Sequence, residues 1–160
     1  MARTLRAPAE SRVRAPRAKP AGPRTGDAAP AELAGVKPLG EVLSDALVYA
    51  DDQLRVRYLN REACRLLGCT PAWAVGRPGS EVLRTAVPNE DLFAETPGER
   101  ASERETLLLT RTGSEVPARV TLARLPGGGT CAIARDLTQA QRLQRELRMR
   151  ERLATVGELA

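Results

Sequence analysis

At 160 residues the chain has room for one ordinary domain with extensions, too little for two packed ones. Its formal net charge of +5 resembles a nucleic-acid or membrane signal only until it is divided: residues 1–37 hold eight basic and three acidic side chains, and the remainder holds 17 of each, so the globular part is neutral. Three cysteines (Cys64, Cys69, Cys131) form neither a disulfide framework nor a paired metal spacing, and no apolar run approaches the roughly 18 residues of a membrane span, which together point to a soluble, cytoplasmic, reduced protein.

Residues 1–38 are rich in Ala, Pro and Arg, with prolines at 8, 16, 20, 23, 30 and 38. Repeated proline forbids a continuous helix or paired strand, and without apolar periodicity the segment cannot offset its ordering entropy. A disordered basic tail is expected. Its arginines would attract polyanions, yet it has no aromatic residue for base stacking, so nucleic acid is not the expected partner. The opening arginines have no apolar segment behind them that would make a signal peptide.

From Leu39 the texture changes. A short helical turn leads into "ALVYA" (46–50), the turn residues Asp51-Asp52 and "LRVRYL" (54–59), which read as a hairpin whose Arg55 and Arg57 face solvent. Asn60 is placed to cap a helix carrying Ala63, Leu66 and Leu67, with Gly68 as its stop. Thr70 then caps a second short helix with Pro71 at its first position, "GRPG" breaks the chain, and a third begins at Ser80. "PNEDLFAETPGER" offers one more polar helical turn. Three strands follow, about 103–111, 114–125 and 130–137, separated by Thr112-Gly113 and by "PGGG" at 126–129. Two strands, short helices and three strands make an α+β domain: a five-stranded antiparallel sheet with short helices on one face.

After this the chain turns polar and helical from residue 138 to 160, about 34 Å if helical throughout. Asp136 and Thr138 both suit capping of this helix, Thr138 with Gln141 as a capping box. Ala140, Leu143 and Leu147 follow 3,4 spacing, while Met149, Leu153, Val156 and Ala160 follow 4,3,4 spacing. The step of two from Leu147 to Met149 breaks the register, and a two-register element is expected near Arg148–Arg150.

Four pieces in order resemble the PAS domain, a sensory fold of signalling proteins, over about residues 39–137: "YLNREACRLLG" (58–68), "VGRPGSEVL" (75–83), "TRTGSEVPARV" (110–120) and "ARDLT" (134–138). "RERLATVGELA" (150–160) is similar to the start of the dimerisation helix of sensor histidine kinases, which runs on into a phosphoacceptor histidine; this chain has no histidine. The resemblance implies the PAS input of a cytoplasmic histidine kinase of two-component systems, ending before the phosphoacceptor and the ATP-binding domain. Asp136 and Thr138, with Leu143, Leu147, Leu153 and Val156, would relay the signal. Partners would be a second copy through the C-terminal helix, a kinase core and a response regulator, and ATP would serve only the kinase core. The alternative is a stand-alone PAS module that regulates a partner by binding.

Within the domain, Trp73, Cys64 and Leu67 are the candidate pocket residues, although Trp73 is most simply a packing residue and Cys64 and Cys131 small buried ones. Cys69, near a helix start, is the cysteine placed for a lowered pKa and a redox role. Neither haem nor flavin is expected: haem in this fold is usually held by histidine, and "ACRLLG" (63–68), similar to the "N-C-R-F-L-Q" helix of light-sensing relatives, lies on an earlier helix and lacks the Asn and Gln. No metal site and no catalytic constellation is evident, and "PGGG" lacks the lysine and helix of a phosphate loop.

Overall fold

The structure, a computed structural model, describes residues 31–96, 98 and 100–158. The expected tail up to residue 30 lies outside them. Residues 31–38 do not continue a tail, because helix α1 (Ala31–Val42) runs through the expected boundary with Pro38 inside it. Leu33 and Val36 explain this: both are buried against Leu47 and Tyr49, and that tertiary packing outweighs the backbone hydrogen bond Pro38 cannot make.

Among the described residues the sheet has six strands, one more than expected: β1 (Ala46–Ala50), β2 (Val56–Leu59), β3 (Arg84–Thr85), β4 (Ser102–Leu109), β5 (Glu115–Arg124) and β6 (Thr130–Asp136). Their order is β2-β1-β6-β5-β4-β3, with every pair antiparallel. The unforeseen β3 has two residues, too few to show alternation, and exists through its pairing with Leu108 and Leu109. First and last strands meet in the middle, where Ala46 faces Ala134 and Ala50 faces Thr130.

All five residues of β1 are buried, because both faces of the sheet are covered there. Val48 and Ala50 face the larger core, under helices α2 (Arg61–Leu67), α3 (Pro71–Ala74) and α4 (Gly79–Val82), while Leu47 and Tyr49 face α1. Helices therefore lie on both faces of the sheet, not one. Asn60 caps α2 by accepting from the Ala63 amide and Gly68 ends it in the left-handed conformation, φ 66°. Thr70 caps α3.

The stretch expected as a polar helical turn is a tight turn that fills the core. Asp91 Oδ1 accepts from the amides of Phe93 (3.0 Å) and Ala94 (3.1 Å), which turns Leu92 and Phe93 inward to full burial. Phe93 lies directly on Gly79, where a Cβ would come within 2.5 Å of its ring. With Leu67, Leu83 and Leu108 it closes the space between sheet and short helices. Among the described residues no helix is long and apolar enough to cross a membrane.

Candidate functional site: the sheet-to-helix junction and an adjoining groove

The last two residues of β6 and the one after it each hold something. Arg135 forms an ion pair with Asp45, its Nη2 2.8 Å from Oδ2, and so ties the end of β6 to the residue before β1. Asp136 Oδ1 accepts from the Thr138 amide at 2.8 Å. Leu137 donates its amide to the Pro117 carbonyl of β5 at 2.8 Å and offers its own carbonyl to Gln141. The helix that follows, α5 (Thr138–Glu158), thus starts beside a point held by β5 on one side and by the residue before β1 on the other.

The capping differs in detail from the Thr138–Gln141 box. Thr138 is the first helical residue; Asp136 accepts its amide two residues on in an Asx-turn, and the Leu137 amide between them is engaged with β5. A carboxylate at this end also complements the helix dipole. A cleft of about 350 Å³ adjoins the junction, lined by Ser44, Glu62, Leu66, Ala134 and Asp136 among others.

Helix α5 is 21 residues long, about 32 Å, and buries none of them. Leu143 is 57 % exposed, Leu147 59 %, Leu153 68 % and Val156 67 %. At roughly 100° per residue, the pair Leu143/Leu147 and the pair Leu153/Val156 point about 130° apart around the axis.

Upstream, one side chain joins the junction to the N-terminal helix. Asn60 is 2 % exposed and fully bonded: Oδ1 accepts from the amides of Leu47 and Ala63, both at 2.9 Å, and Nδ2 donates to the carbonyls of Gly40 (2.9 Å) and Asp45 (3.0 Å). Beside it opens a groove of about 530 Å³ between α1, β2, α2 and α3. Tyr58, Leu59, Cys64, Pro71 and Val75 give it an apolar floor, and Lys37, Arg57 and Arg61 stand at it with Glu41. The Tyr58 hydroxyl donates to Glu41 at 3.0 Å; burial first, then this carboxylate, push its pKa up to about 12.

Residues 41–142 match the family model for the PAS fold. The chain belongs to the PAS family. Among solved structures it is similar to the PAS domain of an HTR-like protein from Haloarcula marismortui, at 24% identity with a TM-score of 0.53, the match covering 66% of this chain and 91% of that one. A PAS domain from Colwellia psychrerythraea matches at 19% identity with a TM-score of 0.56, covering 68% and 98%. A domain of a sensory box sensor histidine kinase/response regulator from Geobacter sulfurreducens matches at 18% identity with a TM-score of 0.50, covering 66% and 94%. At these identities the likeness is one of fold. No curated protein matches the chain.

Within this PAS domain the three residues expected at a pocket belong to one core cluster, but neither opening is lined by all three. Leu67 is buried in the core. Cys64 is half-buried on the groove floor. Trp73 lines neither opening; it packs on the core beneath two guanidinium groups, Arg77 at 4.7 Å and Arg111 at 5.3 Å from the ring centre. Cys69 is buried, and burial, reinforced by Cys64 and only opposed by Arg111, raises its pKa. That is the reverse of the lowered pKa its place near a helix start suggests, and it disfavours the thiolate that redox chemistry uses. Burial also raises Cys64, and pushes Cys131 up to about 11. The groove is not legible in the sequence, because residues 37–41, 57–64 and 71–75 meet only in the fold; the one signal is the polar–apolar alternation of "RVRYLNR".

Proposed function

We propose that the chain is the signal-sensing PAS region of a cytoplasmic histidine kinase of the two-component kind, passing a conformational bias through α5 to a kinase core beyond it. The observation that carries the reading is α5 itself: a helix that leaves β6 through a residue bonded to β5, with no buried residue along its length. Such a helix moves with the sheet and has its apolar residues free for a partner helix. The similarity of residues 150–160 to a kinase dimerisation helix supports the same reading, as does the likeness to a domain of a Geobacter sulfurreducens sensor histidine kinase/response regulator. The partners are a second copy through α5, a kinase core and a response regulator; ATP belongs to that core, and neither haem nor flavin is part of the reading.

The test is to read the coding frame past codon 160 and assay the product. A histidine within a few residues of Ala160, an ATP-binding domain beyond it and transfer of phosphate from ATP to that histidine are the expected results. A product without that histidine and without autophosphorylation would replace this reading with that of an interaction module, for which the exposed residues of α5 would be the docking helix.

A further inference from the structure

The core of this PAS domain is closed by Leu67, Leu83, Leu92, Phe93 and Leu108, so an input at the groove would not have to displace them. We propose that the groove between α1, β2, α2 and α3 binds a small amphipathic acid, one carboxylate or like anion on an apolar body. In its regulatory part the proposal rests on the reading of the chain as a sensor.

Size and lining set the class. About 530 Å³ lies in the range of small-molecule sites, and the floor of Tyr58, Leu59, Pro71 and Val75 suits hydrocarbon or an aromatic ring. The charges at the rim are unequal in availability. Arg57 is held by Asp51 at 2.6 Å, and Glu41 is turned to the Tyr58 hydroxyl. Lys37 and Arg61, both exposed, have no ion-pair partner among the described residues. Two free cations beside an apolar floor fit an anionic head with an apolar tail.

The same charges select against other occupants. Residues 1–30 carry seven basic and two acidic side chains, and α5 carries five arginines and three glutamates, so both would bring like charge to Lys37 and Arg61. The position also suits an input. Asn60 borders the groove, and its amide links the Gly40 carbonyl of α1 to that of Asp45, the residue paired with Arg135 at the end of β6, three residues before α5. A molecule that parts α1 from α2 pulls on this connection.

Octanoate is the probe, with octylammonium as its charge-reversed control, titrated into the isotopically labelled 160-residue chain and followed by amide NMR shifts. Saturable shifts at residues 37–41, 57–64 and 72–75 are expected, with octylammonium at least tenfold weaker. Lys37→Glu combined with Arg61→Glu should weaken octanoate at least tenfold while the circular dichroism spectrum stays unchanged. Absence of saturation, equal binding of octylammonium, or shifts centred on Phe93 and Leu108 would overturn the proposal. So would groove shifts that grow with protein concentration in the absence of octanoate, which would assign the groove to a second copy. Because binding is read on the PAS domain alone, a groove that takes octanoate in a protein without kinase activity upholds the site and sinks only the kinase reading.

Discussion

Arg135 and Asp45 stand 90 residues apart in sequence and meet in a two-pronged ion pair, Nη2 to Oδ2 at 2.8 Å and Nε to both carboxylate oxygens at 3.2 Å. The pair is largely exposed on the arginine side, so its worth lies in position more than in stability. Asp45→Asn should leave the melting temperature nearly unchanged and speed hydrogen exchange several-fold at the amides of Leu137 to Gln141. Unchanged exchange there would mean that the ion pair does not hold the start of α5.

Asn60 is where stability should respond most to a small change. Alanine would strand two buried amides and two carbonyls at once, a loss of about 3 to 5 kcal/mol in urea unfolding. Asn60→Ser retains an oxygen for the α2 cap and should fall between the two. A loss below about 1 kcal/mol for the alanine variant would mean that water replaces these bonds without difficulty.

Gly79 makes room for a ring. Its φ is ordinary, so the demand for glycine is one of space: an added Cβ would press on the fully buried Phe93. Gly79→Ala should cost about 1 to 3 kcal/mol through overpacking. Pairing it with Phe93→Leu, which frees part of that space, should recover some of the loss, whereas simple additivity of the two changes would contradict the contact.

Cys131 gives the stability a slope at alkaline pH. An unfolded thiol titrates near 9 and the half-buried folded one near 11, so the folded chain keeps a proton that the unfolded chain releases. The contribution is therefore whole below pH 9 and is lost as pH rises towards 11. Urea unfolding at pH 8, 9 and 10 should show wild type falling faster than Cys131→Ala. Tyr58 also titrates late, but it does so in both proteins and drops out of the comparison.

The two apolar pairs of α5 separate pairing from folding. Leu143→Glu with Leu147→Glu, or Leu153→Glu with Val156→Glu, should shift the chain towards monomer in sedimentation without lowering the unfolding free energy, since α5 buries nothing. In a background without the native cysteines, single cysteines at 147 and 149 should exchange crosslinking yield between states. One fixed register in every state would sink the two-register element.

What could be read beforehand was local chemistry. Asn60 and Gly68 mark their helix by side chain and backbone preference, and "TG" and "PGGG" mark turns whose Gly113, Gly128 and Gly129 all take positive φ. What could not be read was made by partners distant in sequence. Pro38 forbids a helix on any local scale, yet Leu33 and Val36 have Tyr49 to pack on. The β3 strand is two residues that only β4 makes into a strand, and Leu92-Phe93 hides an anchor of the core in a run of polar residues. The capping carboxylate of Asp136 is legible in the sequence, while the arginine beside it, its ion pair and the Leu137 bond to β5 depend on knowing which strands are neighbours.

The central place of β1 has a consequence for the birth of the protein. Its five buried residues, "ALVYA", pair on one side with β6, which leaves the ribosome roughly 80 residues later. At about 5 to 20 residues per second that is a wait of about 4 to 16 s, during which an apolar strand has no partner on that side. A nascent chain is most exposed to misassociation in this interval, and slow codons between Ala50 and Thr130 should lower the yield of folded protein more than slow codons after Asp136.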